Sequence, residues 1–176
     1  MTSTAPKMTA DETLAHVQTV SATQRANSAI YAHLLADLTI TAATEGHLLA
    51  TIRIAKPHIN SKGGLHGTMS ACLVDWAAGM VIATYGGSYT GVSTDLHVSY
   101  VASAKEGEVL EVTGRAMKVG GTMAYVSVEI YVDFEEWVTS SEILPSWVDY
   151  LLKRLAYLRE AAESHTGKSM FVLRGM

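Results

Sequence analysis

The stretch LHGTMSACLVDWAAGMVIA, residues 65–83, reads as one apolar helix with a single charged residue, Asp75, near its middle. Apolar residues on all sides predict a helix that is buried in the core of a domain. An unpaired buried carboxylate is costly, so the chain must expose Asp75, pair it or use it. Taken alone, Asp75 fits two interpretations: a hydrogen bond to a neighbouring hydroxyl, or a general base with an altered proton affinity.

Strand patterns flank this helix on both sides. Apolar and polar residues alternate over 35–43 and 47–55, with a turn at Glu45-Gly46 between them. Three further strands are predicted, at 90–102, 107–119 and 122–132. A two-residue hairpin turn at Gly120-Gly121 is expected to join the last two. This order predicts an α+β fold in which an antiparallel sheet wraps around one central helix.

The remaining segments extend this unit into a single predicted domain over residues 1–176. Thr9 and Glu12 form a capping-box pattern that starts a helix over about 10–22. The core follows over 35–132. Residues 134–166 are first acidic and then helical in pattern, which predicts an inserted helix before a final strand over about 168–175.

Composition narrows the class of protein. The chain has 176 residues, of which 48% are hydrophobic and 17% charged, as in globular proteins. A net charge of −4 argues against nucleic-acid binding. The single cysteine excludes an intramolecular disulfide and a cysteine-based zinc site. No uncharged apolar run is long enough to span a membrane. We expect a cytoplasmic protein, with a mitochondrial location as the alternative.

Glycines and polar residues precede the apolar helix. A helix that begins at Gly67 presents free backbone N–H groups and the positive end of its dipole, which suit an oxygen that gains negative charge. Asn60 offers a second donor beside it, and Ser93 offers a hydroxyl that orients a water. The other interpretation is structural: glycines that form a tight turn and a His66 that only makes hydrogen bonds. His58 and His66 lack the spacing and companion ligands of a metal site, so no metal is expected.

The combined pattern resembles one known family. The segments HINSKGGLHGTMSACLVDWAAGM (58–80) and TGVSTDLHVSYVASAKEGEVLEVTGRAMKVGGTMAYVSVEIY (90–131) resemble the hotdog-fold acyl-CoA thioesterases, within the phenylacetyl-CoA thioesterase group. The resemblance covers roughly residues 35–132 and includes the spacing Asn-x6-Gly-x7-Asp. It implies the hotdog fold and hydrolysis of acyl-CoA to a free acid and coenzyme A. Coenzyme A would then be part of the substrate, and no separate cofactor is expected.

The resemblance also implies catalytic roles. Asn60 and the backbone N–H of Gly67 would polarise the thioester carbonyl. Asp75 would activate the attacking water, with Ser93 helping to orient that water. His66 would support the Asn60 side of the site or the leaving sulfur.

A second set of residues is implied for coenzyme A. They are Tyr100, Lys118, Val119, Gly120, Gly121, Thr122 and Met123. Lys118 would lie near the phosphates. Gly121 departs from the family pattern, because relatives often carry a second basic residue there.

Spacing along the helix predicts a homo-oligomer. Gly67 and Asp75 are eight residues apart, which corresponds to about 12 Å along a helix. A general base and an oxyanion donor must converge on one carbonyl within about 3 Å, directly or through one water. Two antiparallel copies of the helix satisfy this, so we expect a homodimer, or a homotetramer of two dimers, with composite sites.

Two other functions stay open at the level of sequence. One is an acyl-CoA-binding or scaffold protein, which the inserted helix favours, as does a C-terminal sequence up to Gly175-Met176 without the family's His-Thr-Lys-like tail. The other is a hotdog hydratase or dehydratase. Against the latter, position 80 is Met, so Asp75 lacks the Asp-x4-His pattern of such enzymes.

Overall fold

A four-stranded antiparallel sheet packed on a long helix makes up most of the computed structural model, which describes residues 7–100 and 103–132. The elements in chain order are α1 (Ala10–Asn27), α2 (Ala29–Leu34), β1 (Thr39–Thr44), β2 (His47–Arg53), a 3-10 turn (Lys56–His58), α3 (Gly67–Ala83), β3 (Val109–Val119) and β4 (Ala124–Val132). The strands neighbour one another in the order β1-β2-β3-β4. The predicted α+β fold with a sheet around a central helix is confirmed. The predicted inserted helix over 134–166 and the final strand over 168–175 lie outside the described residues.

Helix α3 fills the centre of the core. Leu73, Val74, Met80 and Val81 are completely buried on it, as expected for a helix that is apolar all round. The sheet contributes the alternate residues of β2 and β3 that face this helix. Gly114 of β3 allows the close approach, because a Cβ at that position would stand 2.5 Å from Cγ2 of Val81.

Two helices precede the sheet. The capping box at the start of α1 is present, with Thr9 N–H donating to Glu12 at 2.8 Å and Glu12 N–H donating to Thr9 Oγ1 at 3.3 Å. Helix α1 continues to Asn27, beyond the predicted end at about residue 22. Ser28 then caps α2 by accepting from the backbone N–H of Tyr31 at 3.3 Å. Helix α1 packs on β1 and on α3, so the helical pair covers one side of the central helix.

The first two strands are shorter than their sequence patterns. Strand β1 begins at Thr39 and not at residue 35, because the backbone N–H of Leu35 closes α2 by donating to Tyr31 O at 2.9 Å. Strand β2 ends at Arg53, where the chain enters the 3-10 turn that contains Pro57. The turn between these strands is the predicted one at Glu45-Gly46, and Gly46 adopts a φ of 78°.

The strand predicted over 90–102 is wrong for the residues that are described, 90–100. Polar and apolar residues alternate in parts of this stretch, but its backbone pairs with no strand in the described ranges. A strand needs a neighbouring strand to satisfy its backbone, and alternation alone does not supply one. Side chains attach the stretch to the helices instead. Among them, Gln24 Nε2 donates to Thr90 Oγ1 at 2.6 Å.

The two-residue hairpin turn predicted at Gly120-Gly121 is also wrong. Val119 pairs with Ala124, so the connection contains the four residues 120–123. Gly120 N–H donates to Met123 O at 2.9 Å and closes the loop. A register shift between Ala116 and Lys118 precedes it. Such a shift bends the strand and changes the position at which the hairpin turns.

Candidate active site

Asp75 is half-buried on α3, and both of its carboxylate oxygens accept hydrogen bonds from hydroxyl groups. Tyr31 Oη donates to Oδ2 at 3.1 Å, and Ser93 Oγ donates to Oδ1. The three side chains come from α2, α3 and the stretch after α3. Asp75 is therefore paired with hydroxyl groups and still partly open to solvent.

A cleft of about 660 Å³ opens beside this carboxylate. One wall is α3, with Asp75, Trp76 and Gly79, and the opposite wall is residues 90–96. The loop 119–123 and the start of β4 form the third side. Small-molecule sites typically have volumes of about 300–1,000 Å³. The cleft therefore places a carboxylate at the side of a space large enough for a substrate.

The N-terminus of α3 carries a second group of predicted site residues. His66 caps the helix, with Nδ1 accepting from Thr68 N–H at 3.1 Å. In the neutral ring the proton is therefore on Nε2. Asn60 Oδ1 accepts from Lys62 N–H at 2.8 Å, and its Nδ2 donates to Leu65 O at 3.2 Å. Gly67 is the first residue of the helix, where backbone N–H groups lack an acceptor in a preceding turn.

The residues expected to contact coenzyme A divide between the two groups. Tyr100 lies at the helix N-terminus, where its hydroxyl donates to Gly67 O at 3.2 Å. Val119, Gly120, Gly121, Thr122 and Met123 line the cleft beside Asp75. Lys118 is exposed on β3 next to that loop. The loop and Tyr100 are therefore at different ends of α3 within one chain.

The structure brings the Ser93 hydroxyl to Asp75 but leaves Asn60, His66 and Gly67 outside the cleft that Asp75 lines. Gly67 and Asp75 stand on one continuous helix. Eight residues at 1.5 Å each separate them by about 12 Å along its axis. One chain therefore presents two separate half-sites, an acid–base half and an N–H donor half.

Two other titratable groups near the site are held neutral. Burial, followed by the charge of Asp75, raises the pKa of the Cys72 thiol to about 11. Cys72 is therefore not a nucleophile at neutral pH. Burial lowers the pKa of His58, a buried side chain whose Nδ1 accepts from Ala55 N–H at 3.0 Å. His58 supports the loop that leads into α3, since its carbonyl accepts from His66 N–H at 2.8 Å.

Within residues 7–100 and 103–132, no group of three or more His, Cys, Asp or Glu is arranged to hold a metal ion. Among the helices in the same two ranges, none has both the length and the apolar character needed to cross a bilayer.

Comparison with known proteins identifies the family. Residues 62–134 match the family model described as the thioesterase superfamily. Human acyl-coenzyme A thioesterase 13 is 31% identical over 100 residues, which are 57% of this chain and 71% of that relative. The chain belongs to the thioesterase superfamily. By family it is a thioester hydrolase, and the family resemblance seen in the sequence is confirmed.

Solved structures of other superfamily members share the fold. Zebrafish thioesterase superfamily member 2 is 29% identical and superposes with a TM-score of 0.62, over 68% of this chain and 86% of that chain. A thioesterase from Streptococcus pneumoniae, solved with coenzyme A, is 25% identical with a TM-score of 0.52, over 55% of this chain and 76% of that chain. The predicted hotdog fold of this superfamily member is confirmed.

One residue at the site had no signal in the sequence. Tyr31 contacts Asp75 from 44 positions away, and it lies outside the range that matches the family model. No local spacing links a tyrosine on a six-residue helix to a carboxylate on another helix. Only the packing of α2 against α3 brings them together.

Proposed function

We propose that this protein hydrolyses acyl-CoA thioesters to a free carboxylic acid and coenzyme A. The observation that carries the proposal is the Asp75 carboxylate, held by two hydroxyl donors at the side of a cleft of about 660 Å³. Two similar proteins support the substrate class: the human relative is an acyl-coenzyme A thioesterase, and the Streptococcus pneumoniae thioesterase was solved with coenzyme A.

The reaction follows from the chemistry of the two half-sites. Asp75 accepts a proton from water, and the water oxygen attacks the thioester carbonyl carbon. The carbonyl oxygen becomes an oxyanion, to which the backbone N–H of Gly67 and the second amide proton of Asn60 donate. The intermediate collapses, the carbon–sulfur bond breaks, and the sulfur leaves as the coenzyme A thiol with the proton that Asp75 took from the water. The His66 ring, with its proton on Nε2, is a donor near the leaving sulfur.

The cleft supports a path for coenzyme A. The loop 119–123 borders the space beside Asp75, and exposed Lys118 stands next to it. A lysine ammonium suits phosphate groups, and the protein is otherwise acidic with a net charge of −4. We propose that the pantetheine arm lies along 119–123 with the phosphates near Lys118.

The first test is release of free thiol from a panel of acyl-CoA substrates of different chain length, including an aryl-acetyl thioester. We expect Asp75→Asn to lower turnover by about 100-fold or more, because the amide cannot take a proton from water. Asp95→Asn is the matched control, since Asp95 is an exposed carboxylate that lines the same cleft. Equal turnover in Asp75→Asn and the wild type contradicts the assignment. The chain's own thiol adds little background near pH 8, because the pKa of Cys72 is about 11.

We further propose that the complete site forms between two copies of the chain, in a homodimer or in a homotetramer of two dimers. The separation of about 12 Å between Gly67 and Asp75 supports this, because a donor and a base on one helix cannot reach the same carbonyl. Antiparallel α3 helices in a two-fold dimer bring the donor half of one chain to the base half of the other.

Complementation tests the shared site. Asn60→Ala and Asp75→Ala chains are each expected to be inactive. After unfolding and refolding together, each mixed dimer holds one site with both defects and one intact site, so activity returns. Mixed dimers that form and remain inactive contradict the shared site.

A further inference from the structure

The hydrogen bond between Tyr31 and Asp75 joins the N-terminal helices to the proposed base. Tyr31 is half-buried, packs against the core and donates from Oη to Asp75 Oδ2 at 3.1 Å. Its position on α2 is fixed at both ends of the helix: Ser28 accepts from Tyr31 N–H, and Tyr31 O accepts from Leu35 N–H at 2.9 Å. The hydroxyl is therefore presented from a defined element.

Ser93, the other donor, is attached differently. It is exposed and lies in the stretch 88–100, which makes no ladder with the strands of the described ranges. A single hydrogen bond from such a stretch leaves the carboxylate able to rotate about its Cβ–Cγ bond. Two donors on the two different oxygens fix the carboxylate plane, and each oxygen keeps a second lone pair for a water.

The hydroxyl of Tyr31 is a donor over the whole working range of pH. Burial first, and then the charge of Asp75, raise the pKa of Tyr31 above its usual value. Tyr31 therefore stays protonated where a carboxylate base is ionised.

We propose that Tyr31 is a positioning residue for the thioesterase reaction, which orients the Asp75 carboxylate towards the attacking water. The inference rests on the proposed function, in which Asp75 is the base. Tyr31 acts through Asp75 and takes no proton from the substrate or the water.

The test is Tyr31→Phe, which removes only the hydroxyl. We expect kcat to fall about tenfold with little change in KM, because a misplaced base affects the chemical step more than binding. Tyr89→Phe is the matched control, because Tyr89 is 87% exposed. It should behave as the wild type in both respects.

Two further comparisons distinguish positioning from a structural role. In the first, kcat is calculated on the fraction of each variant that is folded, measured by circular dichroism, so a loss of stability does not lower it. In an Asp75→Asn background, Tyr31→Phe should cause no further loss of residual hydrolysis. An unchanged kcat in Tyr31→Phe overturns the inference, as does a further loss caused by Tyr31→Phe in the Asp75→Asn background. Full turnover in Asp75→Asn overturns the proposed function instead.

Discussion

Gly79 offers a substitution whose effects on stability and on activity should separate. It lies inside α3, where glycine costs about 1 kcal/mol relative to alanine. A Cβ at this position would stand 3.0 Å from Thr90 Cβ, in the opposite wall of the cleft. Gly79→Ala therefore favours the helix and crowds the stretch that carries Ser93.

The structure sets the size of both effects. Thr90 must move by a few tenths of an ångström to reach ordinary contact, and its stretch can move because no strand ladder holds it among the described residues. We expect a gain of at most about 1 kcal/mol, or up to about 4 °C in Tm for a chain of this size. The shift carries Ser93 away from Asp75. A displacement of a catalytic group by about 1 Å costs about 100-fold in rate. A displacement of Ser93 by about 0.5 Å therefore predicts a decrease of about tenfold in kcat.

Thermal denaturation and thiol release measure the two effects on the same sample of Gly79→Ala. Thr90→Gly removes the Cβ that would be crowded, so the double variant Gly79→Ala/Thr90→Gly should recover the activity of Thr90→Gly alone. The reasoning is refuted if Gly79→Ala gains the full helix stability and keeps wild-type kcat. That result would mean that the stretch 88–100 does not pack against α3 as described.

Two other predictions concern the core and its pH dependence. Gly114→Ala should lower the free energy of unfolding, measured by chemical denaturation, by about 1–3 kcal/mol, because the new Cβ meets the buried Val81 at 2.5 Å. The control Gly87→Ala should leave it nearly unchanged, because the nearest atom to its new Cβ is 3.7 Å away. His58 has a lowered pKa in the folded chain, so the unfolded chain binds more protons and stability should fall as the pH drops below about 6.5. His58→Asn should reduce that pH dependence, measured as urea midpoints at pH 7.5 and 5.5, and an unchanged slope would exclude His58 as its source.

Local patterns in the sequence predicted the features that depend on neighbouring residues. The capping box at Thr9, the turn at Gly46 and the long apolar helix are all present, because each is determined within a few positions. The strand predicted over 90–102 is wrong over its described residues, 90–100, because a strand depends on a partner elsewhere in the chain. The turn at 120–121 failed because a register shift earlier in β3 sets the loop length.

The residues of the candidate site also differ in how far the sequence predicts their positions. Spacing within one helix was enough to place Gly67 and Asp75 at different points along it. The resemblance implied that Ser93 orients the attacking water, and its hydrogen bond to Asp75 is visible only in the structure. Tyr31 depends on how a short helix packs against another one, which no spacing records. The N-cap role of His66 follows from the local backbone at the start of α3, a geometry that a histidine in the sequence does not reveal.

The two donors to Asp75 differ in whether they lie within the part of the chain that the superfamily model matches. Ser93 falls inside the range that the superfamily model matches, 62–134, and Tyr31 falls before it. Under the role proposed for Tyr31, substitutions in the helices that precede the sheet would alter the rate of hydrolysis while every residue of the family signature is preserved. Paralogues with the same signature and different N-terminal helices would then diverge in turnover without diverging in fold, and an N-terminal exchange between two of them would transfer the difference.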